Sequence, residues 1–469
     1  MNAFKQRSVD MNAWFVKQTS RYLNFFVVAN IASLYIYLLW DSFAGDIPAL
    51  SGGPGDPLFG RGDRFMDWVN TLKSAGLIQP YGLQGQIAMP VYGPLTYMAL
   101  KPIVIILAFS PAFILLAKLL WLAITAIVIV SFVHNIQRIR RSFHGGSKAI
   151  SPFLLTSVIL LGYPFLFAFD RGNLEMITFG LVAWYLACIF DHEKKRPSES
   201  LFCLKKSDLI LALAICIKPY TILFALCNII PIKTGSKAQR KQTLLAFIRS
   251  LSIAILISVT SLALLYNGDI VTGYRELKYW QQAFRSGYVI GNTGDLFFCS
   301  PFIAIKMILS RLAAPEWAMN LFFQIYPLLA LLVAIAVFVI IFRLNSHRTW
   351  GKNGATVLLS AIVFTLLIFP YNANEYKAIY ALLPFILAYS PQVDKDDSPI
   401  LSMPITSPRS MTPQSVSIFL CFVLLVNRYS FLGSKTGASM FATLILVLFP
   451  ILLLFSTDAR SRITKNVVP

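Results

Sequence analysis

Charged residues interrupt the apolar stretches of this chain at a few places, and the first of them carries a candidate general base. Asp67 lies in residues 41–90, where the neighbouring Trp68 and Val69 would press its carboxylate toward an apolar phase. A carboxylate at a membrane edge can accept the proton of a hydroxyl nucleophile within hydrogen-bond reach. Asp63 is the second candidate for the same task.

Two motifs further along the chain could bind an anion. They contribute, in order, Arg171, Asn173, Lys218 and Tyr220. A lysine near the middle of a membrane costs about 2.5 to 3.5 kcal/mol on insertion scales, so Lys218 needs a partner or an anionic ligand. Two alternatives follow. Lys218 forms a buried structural ion pair with Glu175 or Asp170, or it captures a phosphate together with Arg171.

Two more polar groups stand at the ends of apolar runs. The sequence VYGPLTY at residues 91–97 includes Tyr92, and its Gly-Pro step is typical of a helix start. The sequence YNANEYK at residues 371–377 includes Asn372 and Asn374. That group suits either a binding site or an ordinary aromatic-belt loop at a membrane interface.

The remaining sequence indicates that a lipid bilayer is the solvent. Of the 469 residues, 57% are hydrophobic and only 13% are charged, which is too apolar for an ordinary water-soluble domain. Apolar runs long enough to cross about 30 Å of hydrocarbon recur from residue 24 to residue 455. The sequence therefore predicts an all-α, polytopic helical membrane protein with about 11 to 13 transmembrane helices, some of them broken or re-entrant.

The basic residues predict the orientation of these spans. The chain carries a net charge of +20, and most of its excess lysine and arginine falls in short segments between apolar runs, which favours cytoplasmic loops over a nucleic-acid surface. These segments are 138–148, 194–206, 233–249, 343–352 and 460–465. The predicted spans between and around them are 24–40, 92–109, 111–133, 151–169, 174–190, 251–266, 320–342, 355–369, 376–389, 415–426 and 440–455.

The same pattern divides the chain into four parts. We expect a cytoplasmic N-terminus (1–23), a catalytic transmembrane region (24–390), a cytoplasmic linker (391–414) and two C-terminal transmembrane helices with a basic tail (415–469). Residues 41–90 form the first outer loop, with a short helix predicted at 64–72, and 267–300 form a later outer loop. Residues 209–231 are expected to be two short helices that meet at Lys218-Pro219 near the outer face.

One conflict remains in this topology. Spans at 24–40, 92–109 and 111–133 make three crossings, which would put the basic segment 138–148 outside. Either one of these segments is not a full span or one loop breaks the charge rule. Because the N-terminus lacks the apolar core and cleavage site of a secretory signal, we expect an uncleaved first span and a multi-pass protein of the plasma (inner) membrane.

The order of the polar motifs resembles that of a known enzyme class. FMDWVN at 65–70, YGPL at 92–95, RGN at 171–173, KPY at 218–220 and the polar group from Asn372 to Tyr380 follow one another as in GT-C membrane glycosyltransferases. The chain is similar to glycosyltransferase family 87 and its members that depend on polyprenyl-phosphate mannose. It departs from the family pattern at Gly93, where YPPL has its first proline, and at Thr221, where a proline is common.

This resemblance implies transfer of a hexose, mannose-like, from a polyprenyl-phosphate sugar to a glycan or glycolipid hydroxyl at the outer face, with inversion. Asp67 would be the base, with Asp63 as second choice, and Arg171 with Lys218 would bind the phosphate. Asn173, Tyr220, Tyr92, Asn372 and Asn374 would bind substrate, and the outer loop from Tyr279 to Asp295, which includes Trp280, could hold the acceptor. A phosphate leaves without needing a proton, so a second catalytic carboxylate is dispensable.

The sequence also bears on cofactors and leaves two alternative functions open. We expect neither a metal nor a cofactor, because the four histidines are scattered over three predicted inner loops. A transporter or flippase of a lipid-linked or small anionic substrate also uses broken helices and intramembrane charges. A lipid-linked glycan polymerase or ligase would share the donor and differ in the acceptor.

Overall fold

The computed structural model describes residues 65–82, 89–144, 165, 168–169, 171–190, 205–229, 237–290, 301–345, 352–369 and 375–388. Within these ranges the protein is helical and contains no strand, which confirms the predicted all-α class. The first predicted span, the linker at 391–414 and the C-terminal segment at 415–469 lie outside the described ranges.

The α-helices, in chain order, are α1 (Met66–Gly76), α2 (Pro94–Ala108), α3 (Phe113–His144), α4 (Glu175–Phe190), α5 (Lys206–Ile217), α6 (Lys237–Leu265), α7 (Ile270–Phe284), α8 (Pro301–Arg311), α9 (Glu316–Asn345), α10 (Lys352–Ile368) and α11 (Leu382–Ala388). The described ranges also contain two 3₁₀ helices: the first follows α5 (Pro219–Ile229), and the second precedes α11 (Glu375–Ala381). One π-helical turn (Arg285–Ile290) continues α7.

Three of the described helices are long and apolar enough to cross a membrane, over Phe113–Ser142, Leu244–Leu265 and Glu316–Ile341. Four shorter apolar helices accompany them, over Pro94–Ala108, Glu175–Phe190, Pro219–Asn228 and Ala355–Ile368. The protein is therefore a polytopic membrane protein.

The break predicted at Lys218-Pro219 is present. α5 ends at Ile217, and Lys218 takes an extended conformation with φ −137° and ψ 100°. A proline disfavours helical dihedrals in the residue before it, which accounts for the extended Lys218. The chain then continues as the first 3₁₀ helix, so the described part of the run, residues 209–229, forms two short helical pieces as expected.

Helix boundaries differ from the predicted ones where basic residues follow or precede an apolar run. α3 continues through Arg138, Arg140 and Arg141 to His144, and α6 begins at Lys237, inside a segment predicted to be a loop. Lysine and arginine are good helix formers, so a helix extends past the apolar core into the polar region. Hydropathy marks the membrane-embedded part of such helices and not their ends.

Two predicted outer or terminal segments also have a different structure. The expected loop at 267–300 contains the amphipathic helix α7, and α8 follows it. The predicted single span 376–389 is a 3₁₀ helix followed by the short α11. In α7, Gly273, Leu277 and Trp280 recur at helical spacing on the packed face, a pattern that a purely apolar search does not detect.

The core lies where α4 packs against α3, α5 and the two 3₁₀ helices. The Phe132 and Phe179 rings stack with centroids 4.3 Å apart, and Tyr380 contacts both Phe179 and Phe224. These aromatic contacts hold the second 3₁₀ helix against α4 and the first 3₁₀ helix. The candidate site lies at the ends of these same elements.

Candidate active site

Asp67 lies in the first turn of α1, where a carboxylate suits the positive end of the helix dipole. Its neighbour Trp68 is fully buried and donates from Nε1 to the Ala117 carbonyl of α3, 2.8 Å away. The Trp68 ring also packs against Trp121, with centroids 5.4 Å apart. Trp68 thereby anchors α1 to α3 and fixes the place of Asp67, whose side chain is 21% exposed.

The Asp67 carboxylate is bound by two residues from the turn before α4. Arg171 Nη2 donates to Oδ1 across 2.7 Å, and Asn173 Nδ2 donates to Oδ2 across 3.0 Å. The Asn173 Oδ1 in turn accepts the Glu175 backbone N–H at 3.0 Å, so this side chain also caps the start of α4. Two of the roughly four lone-pair sites of the carboxylate are used in this way, which leaves room for a substrate hydroxyl.

Gly172 allows the turn before α4 to lie in direct contact with the start of α1. Its φ is +70°, a left-handed conformation that glycine adopts without steric cost. A Cβ at this position would lie 2.7 Å from the Trp68 Cβ and 3.0 Å from the Phe65 Cα. The glycine between Arg171 and Asn173 therefore lets the turn sit directly on the start of α1.

Lys218 lies at the break between α5 and the first 3₁₀ helix, where it faces Glu175 at the start of α4. Its Nζ is 3.8 Å from Glu175 Oε2 and 4.6 Å from the centre of the Tyr92 ring. The Lys218 side chain is 15% exposed, whereas Glu175 is completely buried. Asn173 connects the two halves of the site, because it binds Asp67 through its amide nitrogen and the Glu175 backbone N–H through its oxygen, and Glu175 faces Lys218.

Tyr92 reaches Lys218 because Gly93 packs against the end of α5. A Cβ on Gly93 would lie only 2.1 Å from the Cys216 carbonyl oxygen, so the backbones are in direct contact there. The Tyr92 carbonyl accepts a 2.7 Å hydrogen bond from the Tyr81 hydroxyl. Tyr92 thus forms a fixed aromatic platform under the lysine.

A second lysine belongs to the same cluster. The Tyr220 hydroxyl donates to Glu175 Oε2, and Lys377 Nζ lies over the Tyr220 ring, 4.0 Å from its centre. Lys377, only 3% exposed, comes from the second 3₁₀ helix. It was not among the predicted site residues, although the group of residues around it was; its place on Tyr220 follows from the fold.

Of the residues predicted for the site, six lie together: Asp67, Tyr92, Arg171, Asn173, Lys218 and Tyr220. The structure shows the Lys218–Glu175 pairing that sequence reasoning gave as the structural alternative, and it places Arg171 on Asp67. Asp63, Asp170, Asn372 and Asn374 lie outside the described residues.

The segment predicted to hold the acceptor is in part a packing element. Trp280 of α7 donates from Nε1 to the Tyr81 carbonyl at 2.8 Å, so its indole N–H is used to hold α7 against the segment after α1. Tyr266 donates its hydroxyl to Glu276 Oε2 at 2.6 Å and secures α7 from the other side. Across the ranges that the structure describes, no three histidine, cysteine or acidic side chains gather in a way that suits a metal ion.

The chain matches a known protein family over a range that includes most of the site. A family model described as glycosyltransferase family 87 matches residues 61–370, a range that contains every described residue of the site apart from Lys377. A search among curated proteins finds no significant match. Because the family match spans more than half of the chain, this protein belongs to glycosyltransferase family 87 and is a membrane glycosyltransferase of the GT-C-like type.

Proposed function

We propose that the protein transfers a mannose-like hexose from a polyprenyl-phosphate-linked sugar to a hydroxyl group of a glycan or glycolipid at the outer face of the plasma (inner) membrane. The observation that carries this proposal is the Asp67 carboxylate, oriented by Arg171 and by Asn173, which also binds the start of α4 where Glu175 faces Lys218. Family membership favours this transferase over the transporter alternative.

In this reaction Asp67 is the general base. The acceptor oxygen attacks C1 of the sugar while its proton passes to the carboxylate, and the C1–O bond to the phosphate breaks with its electron pair going to the phosphate oxygen. A single displacement from the opposite face inverts the anomeric centre. Base catalysis of this kind contributes about 10² to 10⁴-fold to the rate, provided that the base is held in reach of the hydroxyl.

The cationic groups beside Asp67 suit the leaving group. A sugar phosphodiester carries about one negative charge, and the released phosphate monoester carries up to two, so charge accumulates there as the bond breaks. Lys218 is the first candidate to balance this charge, because its side chain is less exposed than that of Arg171 and cations stabilise charge best in a site shielded from water. Arg171 has five N–H donors, so it can hold Asp67 and also donate to a phosphate oxygen.

The other residues predicted to bind substrate have different proposed roles. Tyr92 and Tyr220 are better placed to support the two lysines than to orient the sugar. Asn372 and Asn374 precede Lys377 closely in sequence, which supports a substrate-binding role for them at the same end of the bundle. Asp63 remains the alternative base.

The lengths of the helices support an outer location of Asp67. α2 has 15 residues and spans about 22 Å, less than the hydrocarbon thickness, whereas the 32 residues of α3 span about 48 Å. If α2 does not cross, α3 is the second crossing and brings its arginine-rich end to the cytoplasm. The conflict between span count and charge is then removed, with α1 outside.

The donor class can be tested with purified protein in liposomes. Mannose-labelled polyprenyl phosphate and a labelled sugar nucleotide are offered separately with a membrane glycolipid extract as acceptor. We expect transfer from the polyprenyl phosphate only. Transfer from the nucleotide alone, or transmembrane flux of the labelled lipid without transfer, would refute the proposal.

A further inference from the structure

Five side chains of the site form one continuous array, which begins at Tyr92 and ends at Lys377. In spatial order they are Tyr92, Lys218, Glu175, Tyr220 and Lys377. Each lysine lies over a tyrosine ring, and the buried carboxylate stands between them, in contact with Lys218 on one side and with the Tyr220 hydroxyl on the other. The array combines residues from four segments of the chain: the bend before α2, the start of α4, the break after α5 and the second 3₁₀ helix.

This arrangement places two demands on Lys218. In the structure it faces Glu175, and the proposed reaction requires it to bind the donor phosphate. Removing the partner of a buried charge is strongly unfavourable, because the remaining charge loses its compensation in a medium of low dielectric constant. Glu175 is completely buried, so it would hold Lys218 back unless another cation balanced it.

We propose that Lys377 is that cation and that it is a positioning residue for donor binding. Its ammonium group lies over the face of the Tyr220 ring, 4.0 Å from the ring centre, and the hydroxyl of the same ring binds Glu175. A cation over an aromatic face is attracted by the ring quadrupole, which holds the Lys377 ammonium group at this place. Lys377 thereby compensates Glu175 while Lys218 turns to the phosphate.

The balance of charges agrees with this division of roles. Asp67 and Arg171 form a pair that is neutral in itself. The array adds two lysines and one carboxylate, which leaves an excess of one positive charge. That excess equals the single negative charge of a sugar phosphodiester, so the bound donor makes the array neutral. This inference rests on the proposed function, because it names a residue that prepares the same phosphate site.

The test is a pair of single variants and their combination. Lys377→Met leaves Lys218 as the one lysine of the array, and we expect the donor KM to rise at least tenfold with kcat changed less than threefold. Glu175→Gln removes the competing charge and should lower the donor KM. In the double variant the donor KM should return to within about threefold of the wild-type value, and Lys377→Arg alone should stay near it.

A merely structural role of Lys377 gives a different pattern, because the second substitution would then add to the damage of the first. Lys306→Met is the matched control: Lys306 is another buried lysine, on α8, and its loss should leave the donor KM unchanged. A donor KM that rises further in the double variant, or that rises in Glu175→Gln, would overturn the inference. Glu175→Gln provides this answer even where Lys377→Met does not fold.

Binding of a short polyprenyl phosphate and of the matching alcohol separates this inference from the proposed function. We expect tighter binding of the phosphate, weakened in Lys377→Met and restored in the double variant. That pattern without sugar transfer would refute the function and keep the inference. Sugar transfer with equal phosphate affinity in all variants would refute the inference alone, and a wild-type protein that does not prefer the phosphate would overturn both.

Discussion

Arg171 and Asp67 form a 2.7 Å ion pair although they are separated by 104 positions in the chain. The arginine comes from the turn before α4 and the aspartate from the first turn of α1, so the pair joins two elements that share no local sequence. Asn173 adds a second bond to the same carboxylate. Orientation of the candidate base therefore depends on a long-range contact, which makes that contact a direct target for substitution.

Asn173→Asp should reduce transfer without unfolding the protein. Aspartate caps a helix as well as asparagine does, so the bond to the Glu175 N–H is kept. Its second oxygen would replace the donor to Asp67 with a like charge. We expect kcat to fall at least tenfold, with a thermal unfolding temperature in detergent near that of the wild type.

Asn228→Asp is the control for this substitution. Asn228 donates to the Tyr185 hydroxyl and to the Ala225 carbonyl, so this change should lower stability while the folded protein keeps its kcat. An Asn173→Asp protein with full activity would show that the bond to Asp67 does not matter for the reaction.

Gly172→Ala should disrupt the site through the backbone. A left-handed conformation costs a residue with a Cβ about 1–2 kcal/mol, and here the added methyl group would also press on Trp68. We expect lower thermal stability together with a marked loss of activity. Gly268→Ala, at φ +95° with open space around it, carries the conformational cost without the contact and should retain activity. Equal activity of the two variants would contradict the role of the close approach.

The candidate site could be predicted from the sequence where one residue determines the local structure. Proline at 219 disfavours helical dihedrals in the residue before it, so the sequence predicts an extended Lys218, although Pro102 and Pro327 lie inside continuous helices. Asp67 is identifiable from the sequence because its neighbours Trp68 and Val69 press it toward an apolar phase, where an unpaired carboxylate is costly. The partners were harder to assign. Which cation faces which carboxylate depends on how α1, α4 and the two 3₁₀ helices pack, and local sequence does not encode that.

The fold was predicted where apolar length decides it and was mispredicted where polar residues continue a helix. α9 and α10 match their predicted spans to within four residues, because in each of them one long apolar run sets the length of the helix. The sequence predicts a loop where α7 lies, because the packed face of this helix is narrow. It gives no signal for the contact of Lys377 with Tyr220, because that contact joins elements more than 150 positions apart.

Asp208→Asn should lower stability more than activity. The Asp208 carboxylate accepts a 2.7 Å bond from Arg249 Nε, and both side chains are buried, so the change leaves a buried arginine without its partner charge. Breaking such a pair costs about 3–5 kcal/mol. Thermal unfolding in detergent checks this, with Asp208→Leu combined with Arg249→Met as the comparison, which should recover most of the loss. An unchanged unfolding temperature in Asp208→Asn would contradict the importance of this pair.

Membrane sidedness can be measured with single cysteines placed in a background without the six native ones. Gln79 follows α1 and is exposed, and Arg141 is exposed near the end of α3. We expect an impermeant maleimide added to intact cells to label Gln79→Cys, and to label Arg141→Cys only after permeabilisation. The opposite pattern would place α1 in the cytoplasm and would refute an outward-facing site.

The most direct measurement is the turnover of labelled polyprenyl-phosphate hexose by purified Asp67→Asn protein in liposomes. Asparagine keeps the shape of the side chain and cannot accept the acceptor proton, so we predict a kcat at least a hundredfold below wild type with donor affinity retained. Asp269→Asn is the control, because Asp269 is an exposed cap of α7 and asparagine caps equally well. Wild-type turnover by Asp67→Asn would contradict the assignment of Asp67 as the catalytic base.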